Sequence, residues 1–175
     1  VDTCPTIFGE SSRNSTYGCV DVDFDGWADF EDVFPYDSSQ WSDWDGDGYG
    51  DELIGIEGDV CPSQYGNSTN DRYGCLDDDG DGWSNAGDDF ISNPTQYSDI
   101  DGDGYGDNQS VGETMSDAFP NDGTQWNDTD GDGYGDNQYG NQGDWFPNDP
   151  SRWQDSEGDG YADEDDAFKD DASQW

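Results

Sequence analysis

Asp-x-Asp-x-Asp-Gly, or a close variant, recurs six times in this chain, starting at Asp21, Asp43, Asp77, Asp99, Asp128 and Asp155. No other feature constrains the fold as strongly. A unit of about 27 residues cannot bury a core alone, so it must lean on its neighbours or on something bound. The third position is Asp23, Asp45, Asp79, Asp101, Asp130 and Glu157, and the fifth is Asp25, Asp47, Asp81, Asp103, Asp132 and Asp159. The sixth is always Gly, and the seventh is Trp27, Tyr49, Trp83, Tyr105, Tyr134 and Tyr161. The ninth is Asp29, Asp51, Asn85, Asp107, Asp136 and Asp163.

Two further signatures lie between the loops. An Asp stands two residues ahead of a Phe or Cys: Asp2, Asp32, Asp59, Asp88, Asp117, Asp144 and Asp166, ahead of Cys4, Phe34, Cys61, Phe90, Phe119, Phe146 and Phe168. In three loops this Asp is the twelfth residue (Asp32, Asp88, Asp166), and in the others it follows an insertion, as the same ligand on a longer arm. Cys19, Trp41, Cys75, Tyr97, Trp126 and Trp153 stand two residues before each loop, and Trp175 fits that place at the end. Ahead of the aromatic runs Asx-x-x-Gln or a variant, for example 37–40, which resembles a capping box and predicts single helical turns. The expected fold is therefore mostly irregular, an elongated tandem array of loops with single helical turns and no large hydrophobic core. One continuous array over 1–175 is expected, with loops at 21–32, 43–59, 77–88, 99–117, 128–144 and 155–166; these are loops 1 to 6 below.

Charge narrows the chemistry. Against 45 acids stand four bases and no His, for a net charge of −41. Such a charge is expected to exclude both nucleic acid and anionic membrane surfaces as partners. Leu, Ile, Val and Phe make only 21 of 175 residues, a composition that ordinarily stays disordered. Against that, aromatics are abundant, and 38 of the acids are Asp, the short carboxylate that suits tight turns and oxygen cages. Carboxylates at alternate positions 1, 3 and 5 wrap one side of a cation. Gly at 6 permits the sharp turn that brings in the position-7 carbonyl, and positions 9 and 12 complete the set. These positions and the later closing residues account for 29 of the 45 acids, plus Asn85. Oxygen donors without His favour Ca²⁺ over Zn²⁺ or copper, with Mg²⁺ the weaker alternative. About six ions or more are expected, with Asp37, Asp122 and Asp149 as spare carboxylates for a second ion per loop.

The intact pattern in 21–32 resembles the thrombospondin type 3 repeats, and the likeness covers nearly the whole chain. It implies calcium-loaded loops wrapped around ions in place of a core, a secreted or cell-surface setting, and disulfides between loops. Asn85 at position 9, Glu157 at position 3 and the three delayed closing residues depart from that pattern, as do the Phe-Pro linkers that replace most cysteines.

Cys4 and Cys19 hold the places that Phe34 and Trp41 hold in the next unit, and Cys61 and Cys75 correspond to Phe90 and Tyr97. The pairs Cys4–Cys19 and Cys61–Cys75 are expected, with Phe packed on Trp or Tyr as the equivalent staple elsewhere. Asn14, Asn67, Asn108 and Asn127 head glycosylation sequons. No run of 18 apolar residues, no leader and no initiating Met is present, which predicts a mature form or a segment of a longer chain. The chain also begins and stops in mid-pattern, at Asp2 to Pro5 and at Trp175. The expected function is an extracellular structural repeat protein forming a stalk or head-to-tail filament. The alternative is a calcium-dependent adhesion module or spacer, with 6–17 and 64–73 as candidate contact segments. No nucleophile–base constellation stands out, so no catalysis is expected.

Overall fold

The computed structural model describes residues 2–6, 8–110 and 112–174. Among them there is no helix and no strand; turns and bends carry the chain, with two single parallel bridges, Gly106–Ser116 and Gly135–Gly143. The chain divides into two units, Val1–Ser92 and Asn93–Trp175. The first holds loops 1 to 3 and the second loops 4 to 6.

Each unit has an interior that is mostly polar. Among the described residues the buried apolar side chains are Cys19, Ala28, Cys75 and Ala162. The remaining buried side chains are Ser, Thr, Gln and Asp, and the largest fully buried ones are Gln40, Gln96 and Gln125. Burial of apolar area therefore contributes little, and polar groups taken from water must be satisfied by partners.

The expected helical turns are single hydrogen-bonded turns. The Gln40 N–H donates to the Asp37 carbonyl at 2.9 Å, and Gln96, Gln125 and Arg152 repeat the bond. The Asx side chain caps residue i+2: Asp37 Oδ1 accepts from both the N–H and the hydroxyl of Ser39. Gln174 folds back onto Asp171, at 2.7 Å, but Gln40, Gln96 and Gln125 do not fold back as a capping box would. These three reach forward by 12 residues into the following loop.

The staples also differ from expectation. Both disulfides are present, each with Cα atoms 5.1 Å apart. In three of the other linkers the closing aromatic stacks on position 7 of the loop before it, where packing on the linker's own Phe was expected. Trp41 lies over Trp27 (6.4 Å between centroids), Trp126 over Tyr105 (5.5 Å) and Trp153 over Tyr134 (4.8 Å). The backbone explains the choice. The residue ahead of Phe donates to the carbonyl of the closing aromatic (Val33 to Trp41, Ala118 to Trp126, Trp145 to Trp153), fixing that ring beside the loop. Before loop 3 the same bond runs from Val60 to Tyr73, and it is Tyr73 that meets Tyr49, at 5.6 Å. Cys75 therefore takes the place of Trp in spacing but not in packing. The role expected of Trp175 lies outside the described residues.

Candidate metal centres

The loops are built by their first aspartate. Its Oδ1 accepts from the N–H of position 4 and its Oδ2 from the N–H of position 6, in loop 4 at 2.7 and 2.9 Å (Gly102 and Gly104 to Asp99) and alike in all six. Both donors require a left-handed backbone. Position 6 has φ of 92–101° and position 4 has φ of 74–83° where it is Gly. Phe24 occupies position 4 in loop 1 with φ 65°, a conformation that costs a side-chain-bearing residue about 1–2 kcal/mol.

This turn gathers the carboxylates. In loops 1 to 5 the side chains at positions 1, 3 and 5 each place a ligand atom within 4.8 Å of the other two: Asp21, Asp23 and Asp25; Asp43, Asp45 and Asp47; Asp77, Asp79 and Asp81; Asp99, Asp101 and Asp103; Asp128, Asp130 and Asp132. In loop 6, Asp155 makes the same two bonds, while Glu157 and Asp159 fill positions 3 and 5. Position 5 accepts from the N–H of position 7 in every loop, as Asp103 does from Tyr105 at 2.9 Å.

The closing aspartates are all buried, and three of them are the most buried acids among the described residues. Asp59, Asp117 and Asp144 are 1–2% exposed, and Asp32, Asp88 and Asp166 are 7–9%. All six accept from the N–H two residues on, at 2.6–2.8 Å. Position 8 anchors their backbone in both loop lengths. The Asp32 and Asp166 N–H groups donate to Ala28 and Ala162 across one turn, and those of Asp59, Asp117 and Asp144 donate to Gly50, Gly106 and Gly135 across the insertion. The longer arm thus delivers its Asp to the same anchor.

Position 9 acts first as a clasp. Its Oδ1 accepts from the N–H of position 2 in every loop, and its own N–H donates to the carbonyl just before the loop. In Asp107, Asp136 and Asp163 the second oxygen also accepts, from Ser98, Thr129 and Ser156. With both oxygens already accepting, these three would meet an ion through a bridging water, as this position often does in such loops. In Asn85 the second side-chain atom is an amide donor, leaving only the Oδ1 that already accepts from Asp78. Asp29 and Asp51 make the same Oδ1 clasp. Asp37, Asp122 and Asp149 are engaged in turns, by Ser39, Thr124 and Ser151, rather than gathered into the triplets.

Electrostatics mark the same groups. Burial, followed by the neighbouring carboxylates Asp47, Asp45 and Asp51, raises Asp59 from 3.8 to about 6. Burial with Asp103, Asp101 and Asp107 does the same to Asp117. Burial and the adjacent Asp166 push Glu157 up to about 7. Asp23, Asp32, Asp45, Asp81, Asp88, Asp103, Asp130 and Asp144 are raised as well, desolvation leading in each.

Whether a cation fits can be tested on unmet hydrogen-bonding capacity. Buried carboxylate oxygens without a donor occur in all six loops: Asp23 and Asp25; Asp45 and Asp59; Asp79; Asp101, Asp103 and Asp117; Asp130, Asp132 and Asp144; Glu157, Asp159 and Asp166. No described residue donates to the position-7 carbonyls of Trp27, Tyr49, Tyr105 and Tyr134. A set of oxygens, all acceptors and mutually repelling, fits a hard divalent cation.

Some supporting residues lay outside the sequence reading. Segments 6–17 and 64–73, expected as contact surfaces, make collars for loops 1 and 3. The N–H groups of Ser12 and Arg13 both donate to the Gly26 carbonyl, and those of Thr69 and Asn70 to Gly82, all at 2.8 Å. Asp71 binds Ser84 through its N–H and hydroxyl, which holds the Asp71 carboxyl below its ordinary range despite burial. Arg13 lies 5.0 Å over the Trp41 ring. Among the sequons, Asn108 and Asn127 use their amide nitrogens internally, on the Thr95 carbonyl and on Asp136. Asn14 is exposed, its amide 3.4 Å from Glu31, and Asn67 is exposed.

No described helix is long and apolar enough to cross a membrane. Compared with known proteins, the chain matches no protein-family model and no curated protein.

Proposed function

We propose that this chain is an extracellular calcium-binding structural repeat protein of the thrombospondin type 3 kind, serving as a rigid stalk or head-to-tail filament. The observation that carries the reading is the set of buried, donor-less carboxylate oxygens recurring in every loop. A desolvated carboxylate without a partner costs several kcal/mol, and a cluster of them adds mutual repulsion. Bound calcium would supply the missing positive charge and turn coordination energy into folding energy. Positions 1, 3 and 5, the closing Asp and the position-7 carbonyl supply its oxygens. That is more protein ligands than Mg²⁺ favours.

Two disulfides fit life outside the cell. A second reading, an adhesion or interaction module, is favoured by one observation. The arm of loop 2 carries Leu53, Ile54 and Ile56, all exposed, in a chain poor in aliphatics.

Calorimetric titration and electron microscopy of the full chain test both parts. Uptake of about six or more Ca²⁺ ions, with expansion in chelator, is expected from one ion per loop. An unchanged hydrodynamic radius in chelator would refute metal-dependent folding. Calcium-loaded chains that stay single would refute the filament and leave the calcium reading standing.

A further inference from the structure

The six loops form an internal comparison set. Three carry an insertion before the closing Asp (loops 2, 4 and 5) and three do not. Each inserted loop is preceded, three residues before its start, by a Gln: Gln40, Gln96 and Gln125. The uninserted loops have Gly18, Gly74 and Arg152 there. Position 8 follows the same division. It is Gly50, Gly106 and Gly135 in the inserted loops, and Ala28, Ser84 and Ala162 in the others.

The structure supplies the reason. Each Gln is 0–1% exposed, and its amide is spent on the insertion. Gln125 Oε1 accepts from the Asn137 N–H at 3.0 Å, while its Nε2 donates to the carbonyls of Asn137 and Asn141 at 2.8 and 2.9 Å. Gln96 does the same with Asn108 and Thr114, and Gln40 with Glu52 and Ile56. A Cβ at Gly50, Gly106 or Gly135 would strike the Gln side chain. The hydroxyl just before each Gln adds a second tie: Ser39, Thr95 and Thr124 accept from Ile56, Thr114 and Asn141 at 2.9, 3.2 and 2.8 Å. Both ends of each arm are thereby fixed ahead of Asp59, Asp117 and Asp144, the acids with the lowest exposure in the chain's interior.

We infer that Gln40, Gln96 and Gln125 are positioning residues for three metal sites, each locking the arm that returns Asp59, Asp117 or Asp144 to its own loop. The inference rests on the calcium reading above and divides the sites into two classes: Gln-clamped loops 2, 4 and 5, and loops closed within twelve residues. The hydrogen bonds of each Gln amide go to the backbone of the arm and not to a ligand atom, so Gln acts through the closing Asp.

The test is a double-mutant cycle in the full chain, with calcium titrated calorimetrically. Gln125→Met keeps the buried volume and removes the hydrogen bonds. It is expected to weaken one site by about 10- to 100-fold, the usual effect of losing a residue that orients a ligand, and to leave the other sites unchanged. Asp144→Asn weakens the same site. The double variant should be no weaker than Asp144→Asn alone, because Gln acts through that carboxylate. Full additivity, or wild-type affinity in Gln125→Met, overturns the inference while the calcium reading stands. A wild-type chain that takes up no calcium overturns both. Gln96→Met with Asp117→Asn repeats the cycle in another loop, so misfolding of one variant leaves the inference open to refutation.

Discussion

Calcium binding should release protons, in an amount set by a few buried carboxyls. In the metal-free fold Asp59 and Asp117 stand at about 6, raised by burial and by neighbouring carboxylates. At pH 6 each is half protonated in a metal-free chain that keeps its fold, so occupancy of loops 2 and 4 should then expel about one proton in total, whereas a chain expanded without calcium should release close to none. Glu157, held up to about 7, adds most of a second from loop 6. At pH 8 release from Asp59 and Asp117 should be close to none. The sign for stability follows from the same shifts. Carboxyls whose folded values lie above 3.8 bind more protons folded than unfolded between pH 4 and 6. The metal-free fold is therefore favoured in acid and loses stability as pH rises to 6. One raised carboxyl contributes at most about 3 kcal/mol of that loss, and nearby water lowers the figure. The calcium-bound form behaves oppositely: affinity is full above pH 7 and falls as pH drops through 6. Calorimetry in two buffers of different ionisation enthalpy reads the protons directly. Asp117→Asn should remove about half a proton at pH 6, the share one half-protonated carboxyl contributes. Affinity that stays flat from pH 8 to 5, or zero proton release at pH 6 from a metal-free chain that has kept its compact radius, would refute the reasoning. Acid then differs from chelator: both remove calcium, but protons also quench the repulsion that chelator leaves behind.

Other perturbations separate the remaining contributions. Replacing Cys61 and Cys75 by Ser opens a loop with a sequence separation of 14 residues. Chemical unfolding in saturating calcium should show a loss of about 3 kcal/mol by the chain-entropy account. Trp153→Leu keeps an apolar side chain but removes the 4.8 Å stack on Tyr134. A loss of about 0.5–1.5 kcal/mol is expected by the same assay, and an unchanged midpoint would remove stacking as a staple. Gly48→Ala and Gly50→Ala form a contrast. The first meets no atom within 4 Å and carries only the strain of φ 98°, about 1–3 kcal/mol, whereas the second collides with Gln40 and should also weaken calcium binding at loop 2. Equal effects of the two on calcium titration would argue against the clamp.

The loops were legible in the sequence because their chemistry is local. The first aspartate bonds residues three and five places on, and the triplet follows from alternate spacing, so Asp99 to Asp103 can be read without knowing anything distant. The disulfides were legible because repeat register equated Cys4 and Cys19 with Phe34 and Trp41. The aromatic partner was not. Phe34 and Trp41 are neighbours in the pattern, but the ring that Trp41 covers is Trp27, one loop back. Gln40 looked like a cap because Asp37 stands three residues earlier, yet its amide finds unmet backbone groups 12 and 16 residues ahead. Its pairing with a Gly at position 8 was visible across the repeats, and that covariation was the signal that could have found it.

By itself, then, the sequence determined that the chain would gather carboxylates in six places and would not gather an apolar core. Spacing, glycine positions and composition dictate these outcomes within a few residues. Tertiary structure alone decided how each gathering is closed and supported: a collar for loops 1 and 3, a glutamine-clamped arm for loops 2, 4 and 5, and Arg152 on Asp165 at 2.6 Å beside loop 6. The physical reason is that a buried polar group accepts whichever partner the fold brings within hydrogen-bonding reach. Pattern specifies that Asp59, Asp117 and Asp144 exist; only the path of the chain returns them to their loops.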